Sequence, residues 1–379
     1  MKHDKNYLWL DLFRGLSALI VLASHLRAAL FVDFYTLAEP SYFEKIFYFI
    51  TSLGHQAVIV FFVLSGFFVG GSILNHKNNF KFRGYLIARL SRLWVVLIPA
   101  LFFTALIDQI TNFYLPELIE GSFYKNLSSG PNNNYSSSIL TFLGNISFLQ
   151  TSYVSSFGTN SPLWSLANEF SYYMLFPMIM IVIGRLQYSF TYKFYFSILL
   201  LIFIFFLAHY FLYGFIIWLF GVGVYIAYIR IDKNFNFSFF LISVIFFCFS
   251  IINSKIDIIM KFFNISNSTD LIVGFSFAIF LISIKNEKLN NKFKKKIYLF
   301  FQKLSDISYS LYVFHFPIVM LIFALFYSNE QVIFNLSGII QYLLWMVLII
   351  MFSYLMWFFF EKNTYKVRNF INLKLNNFL

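Results

Sequence analysis

The chain has 379 residues, of which 60% are hydrophobic and 12% charged, and Phe alone occurs 56 times. A water-soluble globular chain carries about 25% charged residues, so one aqueous core cannot hide this much apolar surface and lipid must be the solvent. The net charge of +12 does not point to nucleic acid, because the basic residues sit in short segments between apolar runs, the pattern of loops that face anionic lipid.

A membrane helix needs about 20 mostly apolar residues. Ten such runs predict an all-α, polytopic transmembrane helix bundle, with spans near 9–30, 56–75, 93–112, 163–183, 194–211, 213–230, 235–252, 269–284, 307–327 and 337–360. The first run carries Asp11 and Arg14 and no small-residue cleavage pattern follows it, so it reads as an uncleaved span rather than a signal peptide. It contains LWLDLFRGLSALIVLASHLRAAL, with Asp11, Arg14 and His25 inside it. An Asp or Arg at mid-span costs roughly 2.5–3.5 kcal/mol on insertion scales, so the default reading is a site that faces the bundle interior. At about 100° per residue, the eleven residues from Arg14 to His25 overshoot three turns by only about 20°, and Asp11 lies one turn before Arg14, so the three form one stripe. Arg14 and His25 lie roughly 16 Å apart along the axis, within reach of one long, flexible, anionic reactant. Taken alone, His25 also reads as a satisfied packing residue, and Arg14 as a cation that snorkels to the inner face with Asp11 as its partner.

The second span, GHQAVIVFFVLSGFFVGG, has glycines and Ser65 that permit close helix contact, and His55 near its outer end. Before the third span lie Arg83, Arg89 and Arg92. Arg89 and Arg92, three residues apart, present two guanidinium forks suited to phosphate, or serve as ordinary positive flanking of a span. Residues 113–162 form the longest stretch without a span, and the apolar piece Ile139–Leu149 within it is too short to cross, so it reads as a re-entrant or interfacial segment or as a loop on the bundle. The fourth span, PLWSLANEFSYYMLFP, carries Glu169, which suits three roles: aligning a base, binding an acceptor hydroxyl, or pairing with an Arg. A tight turn at Tyr213 and Gly214 is expected between the fifth and sixth spans, and Cys248 reads as an inert packing residue. Gly221 and Gly223 lack the rest of a nucleotide fingerprint. The segment Lys285–Lys303 reads as a solvated basic loop first and a phosphate site second. The ninth span, LSDISYSLYVFHFPIV, places Tyr309 and Tyr312 on one face and His315 beside Pro317, where His315 reads as structural. Glu361 falls just past the tenth span. No metal-ligand spacing is present.

With the N-terminus inside, 22 of the 28 basic residues fall in inner segments and four in outer ones. That asymmetry, with an even number of spans, predicts both termini in the cytoplasm. Residues 1–379 are expected to form a single integral membrane domain with no soluble extra domain.

Taken together, these stretches resemble the acyltransferase 3 family, membrane O-acyltransferases of the O-antigen and exopolysaccharide acetylase type. Arg14 and His25 match that family's Arg–ten residues–His pattern, GHQAVIVFFVLSGFF its second-span signature, and Arg89-Leu-Ser-Arg92 its Arg-x-x-Arg element. PLWSLANEFSYYMLFP matches its Trp-Ser-Leu-x-x-Glu segment, SYSLYVFHFP its ninth-span motif and Glu361 its terminal glutamate. The matches run in order from about residue 7 to 365. Where many members carry a second carboxylate after Glu169, this chain has Phe170, and the hydrolase-like domain of some members is not seen.

The resemblance implies acyl-CoA, acetyl-CoA among others, as a donor substrate rather than a resident cofactor. It implies a glycan or lipid-linked saccharide as acceptor and a cell membrane, bacterial and cytoplasmic in type, as location. It implies His25 as general base, Arg89, Arg92 and Arg14 along the donor, Asp11 beside Arg14 in the lower channel, and Glu169 orienting the acceptor. The rival class is a transporter or flippase of an anionic or sugar substrate, since intramembrane Arg, His and Glu also mark transport paths. Paired inverted repeats and broken helices would favour it, and the sequence has neither.

Overall fold

The computed structural model describes residues 8–120, 124, 127, 134–207, 209–231, 235–256, 268–284, 292–327 and 330–377. Among them, regular structure is helical apart from isolated bridges. In order the helices are α1 (Leu8–Leu30), α2 (Tyr42–Thr51), α3 (Gly54–Ser65), α4 (Gly71–Asn75), α5 (Phe82–Tyr114), α6 (Pro116–Glu120), α7 (Ile139–Ile146), α8 (Trp164–Val182), α9 (Phe190–Phe206), α10 (His209–Arg230), α11 (Phe237–Ile256), α12 (Ser268–Ser283), α13 (Lys292–Phe326), α14 (Leu336–Phe359) and α15 (Thr364–Asn377). Helices follow from the solvent, because in hydrocarbon each backbone N–H and C=O must find its partner within the segment.

Among the described residues, seven helical stretches are long and apolar enough to cross a membrane, and α9 and α12 are shorter apolar helices. The 17 residues of α9 reach only about 25 Å at 1.5 Å each, short of a hydrocarbon core of about 30 Å. The expected fourth span is α8, a 19-residue helix whose first turns carry Ser165, Asn168 and Glu169, and it is not among the seven. The protein is a multi-pass, all-helical membrane protein.

Three expected boundaries differ. Helix α5 starts at Phe82, so Arg83, Arg89 and Arg92 ride on its first turns rather than precede it. Helix α13 starts at Lys292, so the second half of the expected basic loop is helix, and its first half, 285–291, lies outside the described residues. Lys and Arg are good helix formers, and no Pro interrupts either stretch. Tyr213 and Gly214 sit inside α10, while α9 ends in extended backbone at Leu207. Gly214 is needed there for closeness rather than for a turn, because a Cβ on it would overlap the Tyr172 hydroxyl.

The chain divides into two compact units, each assembled from three separate segments: Met1–Ser17, Gln56–Phe82 and Asn168–Ser305, and Ala18–His55, Arg83–Ala167 and Asp306–Leu379. In the first unit, α3 continues through a π-helical turn (Gly66–Gly70) into α4. The glycines let this stretch lie directly on α10, since a Cβ on Gly66 would overlap the Trp218 carbonyl and one on Gly221 the Val63 carbonyl. This is the small-residue contact by which helices associate in lipid. Helices α11 and α12 are joined by hydroxyl pairs, Ser243 with Ser283 at 2.8 Å and Ser250 with Ser276 at 2.7 Å. Cys248 is exposed and does not pack inside the protein as expected.

In the second unit, Pro317 has no N–H to give the Val313 carbonyl four residues back. The Asn160 side chain supplies it, with Nδ2 donating to Val313 O at 2.8 Å. Buried Asp108 accepts from Thr159 N at 2.8 Å and Thr159 Oγ1 at 2.6 Å. Gly158 between them adopts φ +59°, and a Cβ there would overlap the Asp108 carboxylate. Tyr124 is buried and donates to Gly158 O at 3.2 Å. Burial, helped by nearby Asp108, pushes its phenol above the ordinary range. The short apolar piece near 139 is α7, capped by Ser138, whose Oγ accepts from Thr141 N. It buries Thr141, Gly144 and Asn145 and exposes Ile139, Leu140 and Leu143, so its apolar side faces outward, as in a segment solvated by lipid.

Candidate active site

Helix α1 is unbroken over 23 residues, so Asp11, Arg14 and His25 keep the helical spacing that aligns them on one face. Gly15 does not break it and accommodates Leu304, whose side chain would lie 2.7 Å from an added Cβ. Asp11 Oδ1 accepts from Ser305 Oγ at 3.2 Å. Asp11 and Arg14 belong to the first unit and His25 to the second.

His25 does not stand alone. Its Nδ1 lies 2.9 Å from Nε2 of His315 on α13. The ring planes are within 16° of parallel with centroids 5.2 Å apart, so the two imidazoles meet nitrogen to nitrogen at their edges. On its far side, His315 Nδ1 lies 2.8 Å from the Tyr312 carbonyl and 3.0 Å from the Leu311 carbonyl. His315 is fully buried, whereas His25 is partly exposed. The Phe316 ring closes edge-on over His25, with centroids 4.9 Å apart.

Arg92 and Glu361 form an ion pair, Nη2 to Oε1 at 3.0 Å. The other carboxylate oxygen of Glu361 accepts from Ser310 N at 3.1 Å and Ser310 Oγ at 2.7 Å. The carboxylate at the end of α14 therefore ties that end to α5 and α13. Arg89, one turn before Arg92, stacks over Tyr85 at 5.6 Å. Its buried Nε has no hydrogen-bond partner among the described residues. Arg83 is exposed.

Glu169, in the first unit, ends a directional chain: Trp218 Nε1 donates to Ser65 Oγ at 3.1 Å, Ser65 Oγ to Tyr173 OH at 3.3 Å, and the Tyr173 hydroxyl to Glu169 one turn away. Each donor in the chain points toward the carboxylate. Ser65 thus both packs and relays. The ninth-span tyrosines anchor α13 within the second unit. Tyr309 OH donates to Leu93 O at 3.0 Å, and Tyr312 OH bonds Pro162 O and Ser165 Oγ. His55 is exposed.

The structure thus joins His25 to His315 and Arg92 to Glu361, and holds Glu169 through Tyr173. Sequence reasoning assigned His315 to packing and missed Ser310, Asn160 and Asp108 altogether. Asn160 had a signal in principle, since a proline inside a helix obliges some donor to meet the carbonyl it frees. Among the described residues no three His, Cys, Asp or Glu side chains gather into a metal-binding group.

The geometry is a partly exposed imidazole backed by a sealed one, inside a polytopic helical membrane protein. Residues 7–358 match the acyltransferase domain that defines the acyltransferase 3 family, nearly the whole chain, and the protein belongs to that family. It is therefore a membrane acyltransferase that transfers groups other than amino-acyl groups. No curated protein and no solved structure matches the chain.

Proposed function

We propose that this acyltransferase moves an acyl group, acetyl first among candidates, from cytoplasmic acyl-CoA to a hydroxyl of a cell-surface glycan or lipid-linked sugar, with His25 as general base. The supporting observation is a partly exposed His25 whose Nδ1 is held by a sealed neighbour, in a chain that matches an acyltransferase domain from residue 7 to 358. A thioester already has a good leaving group, so a base and alignment are what the protein must add. His25 takes the proton of the acceptor hydroxyl as its oxygen attacks the thioester carbonyl. The new C–O bond forms, the C–S bond breaks, and the CoA thiolate takes a proton back from the imidazolium. The donor phosphates rest on Arg89 and Arg92. Arg89 offers the less committed fork, and the side chain of Arg92 stays 38% exposed beside Glu361. Arg14 marks the course of the donor's arm along α1. The inner face and both termini are cytoplasmic on this reading, as the basic segments favour, in a bacterial cytoplasmic membrane.

The test is incubation of the purified protein with radiolabelled acetyl-CoA and cell-envelope glycans. General-base catalysis contributes typically 10²–10⁴-fold, so His25→Ala should lose transfer by about that factor at an unchanged protein level. Near-normal transfer by His25→Ala would remove it as the base.

A further inference from the structure

We propose that His315 is a positioning residue for the reaction, one that fixes which nitrogen of His25 is basic. The inference rests on the reading of His25 as base and adds to it the identity of the working nitrogen, Nε2.

A carbonyl oxygen only accepts, and Nδ1 of His315 faces two of them, at 2.8 Å and 3.0 Å. Nδ1 of His315 therefore carries the ring's hydrogen. A neutral imidazole has one donor and one acceptor nitrogen, so Nε2 of His315 presents a lone pair. That lone pair lies 2.9 Å from Nδ1 of His25, which must then carry the hydrogen of its own ring. By elimination, the lone pair of His25 sits on Nε2, the nitrogen turned away from His315. With both rings neutral, this is the only placement of hydrogens that satisfies every partner.

The chain runs backbone carbonyls, His315, His25. It resembles the arrangement in which a third group holds a catalytic histidine in the correct tautomer and orientation, with a neutral imidazole in place of a carboxylate. When His25 Nε2 takes the acceptor's proton, the imidazolium charge is shared through Nδ1–H with the Nε2 lone pair of His315. The two carbonyls on Nδ1–H in turn make His315 a better acceptor. A neutral backing group suits this location, since a carboxylate would bring a net charge into a fully buried position. The surroundings are also set for rigidity. His315 lies between Phe314 and Phe316, both buried. Asn160 meets the carbonyl that Pro317 frees at Val313, and the helix continues beyond it to Phe326.

Two variants and two readouts test this. His315→Phe keeps a ring in the space and removes the acceptor, while His315→Gln places an amide oxygen near the position of Nε2. With acetyl-CoA and envelope glycans, His315→Phe should lower kcat roughly 10–100-fold with the KM for acetyl-CoA within about twofold, and His315→Gln should recover most of the loss. The second readout does not need activity: nitrogen NMR of the purified protein in lipid bilayers, with histidine selectively ¹⁵N-labelled and signals assigned by single-site replacement. The wild type should show both His25 and His315 protonated at Nδ1, and His315→Phe should shift His25 toward the Nε2–H form. A wild-type His25 protonated at Nε2 overturns the proposal. So does an active His315→Phe with unchanged kcat, and if His25→Ala is inactive at the same time, the base reading survives without the positioning one. An active His25→Ala sinks the base reading, while the NMR result still decides the tautomer.

Discussion

Replacing Glu361 should cost more stability than replacing the arginine it pairs with. The Glu361 side chain is 2% exposed, and that of Arg92 is 38% exposed. Glu361→Ala removes an acceptor from Ser310 N, Ser310 Oγ and Arg92 at once. Hydrogen bonds to a charged group contribute about 1.5–3 kcal/mol each. The two to Ser310 share one oxygen and cannot be added in full, so Glu361→Ala is expected to cost about 2–4 kcal/mol. Arg92 keeps much of its water, so its share falls toward the surface-pair range of roughly 0–1 kcal/mol, and Arg92→Ala should cost about 1 kcal/mol or less. Glu361→Gln, which keeps one carbonyl oxygen for Ser310, should fall between them. At roughly 2 °C per kcal/mol for a chain of this size, thermal unfolding in detergent followed by size-exclusion fluorescence should show losses of about 4–8 °C for Glu361→Ala and about 2 °C for Arg92→Ala. Ser310→Ala combined with Glu361→Ala should be clearly less than additive. Equal losses for Glu361→Ala and Arg92→Ala, with full additivity at Ser310, would mean that the ion pair holds these helices together, and would refute the reasoning.

Asn160→Ala should destabilise by about 1–3 kcal/mol, because the Val313 carbonyl is left unmet in a buried helix. In a Pro317→Ala background, where a backbone N–H returns, the same change should cost less, and a double-mutant cycle on thermal unfolding checks this. Gly221→Ala should abolish accumulation of folded protein, since its Cβ meets the Val63 backbone rather than a side chain that can swing aside; Gly223→Ala, with nothing within 4 Å of the added carbon, should be tolerated, as immunoblots of membranes would show. Arg89→Gln should raise the KM for acetyl-CoA several-fold with kcat little changed, measured by steady-state transfer, and an unchanged KM would take Arg89 out of the donor site.

What the sequence made legible was whatever depends on composition or on spacing within one helix. The apolar runs located most helices because hydrocarbon leaves the backbone few alternatives, and the stripe of Asp11, Arg14 and His25 needed only 3.6 residues per turn. The limits of the spans were less legible. At α5 and α13, helix propensity carries the chain past the apolar boundary through Arg and Lys, so hydropathy marks where a helix becomes apolar and not where it starts. Gly214 misled for a related reason. A glycine in a membrane helix reads equally as a turn or as a close approach, and only the Tyr172 hydroxyl arriving from α8 decides between them.

The long-range partners of His25 and Arg92 were not legible, because they depend on which residues distant in sequence become neighbours. His315 lies 290 residues from His25 and Glu361 lies 269 from Arg92. Read alone, His315 looked structural, and in one sense it is: it is sealed, bonded to its own helix and out of reach of any reactant. That is also why it can act through another residue. A group exposed to water would exchange partners and leave both tautomers of His25 populated, whereas a buried ring with its hydrogen committed to two carbonyls has one acceptor nitrogen and one place to point it. On the proposed reading, the structural and positioning roles of His315 are the same physical fact, with burial providing the fixed acceptor for a partly exposed base.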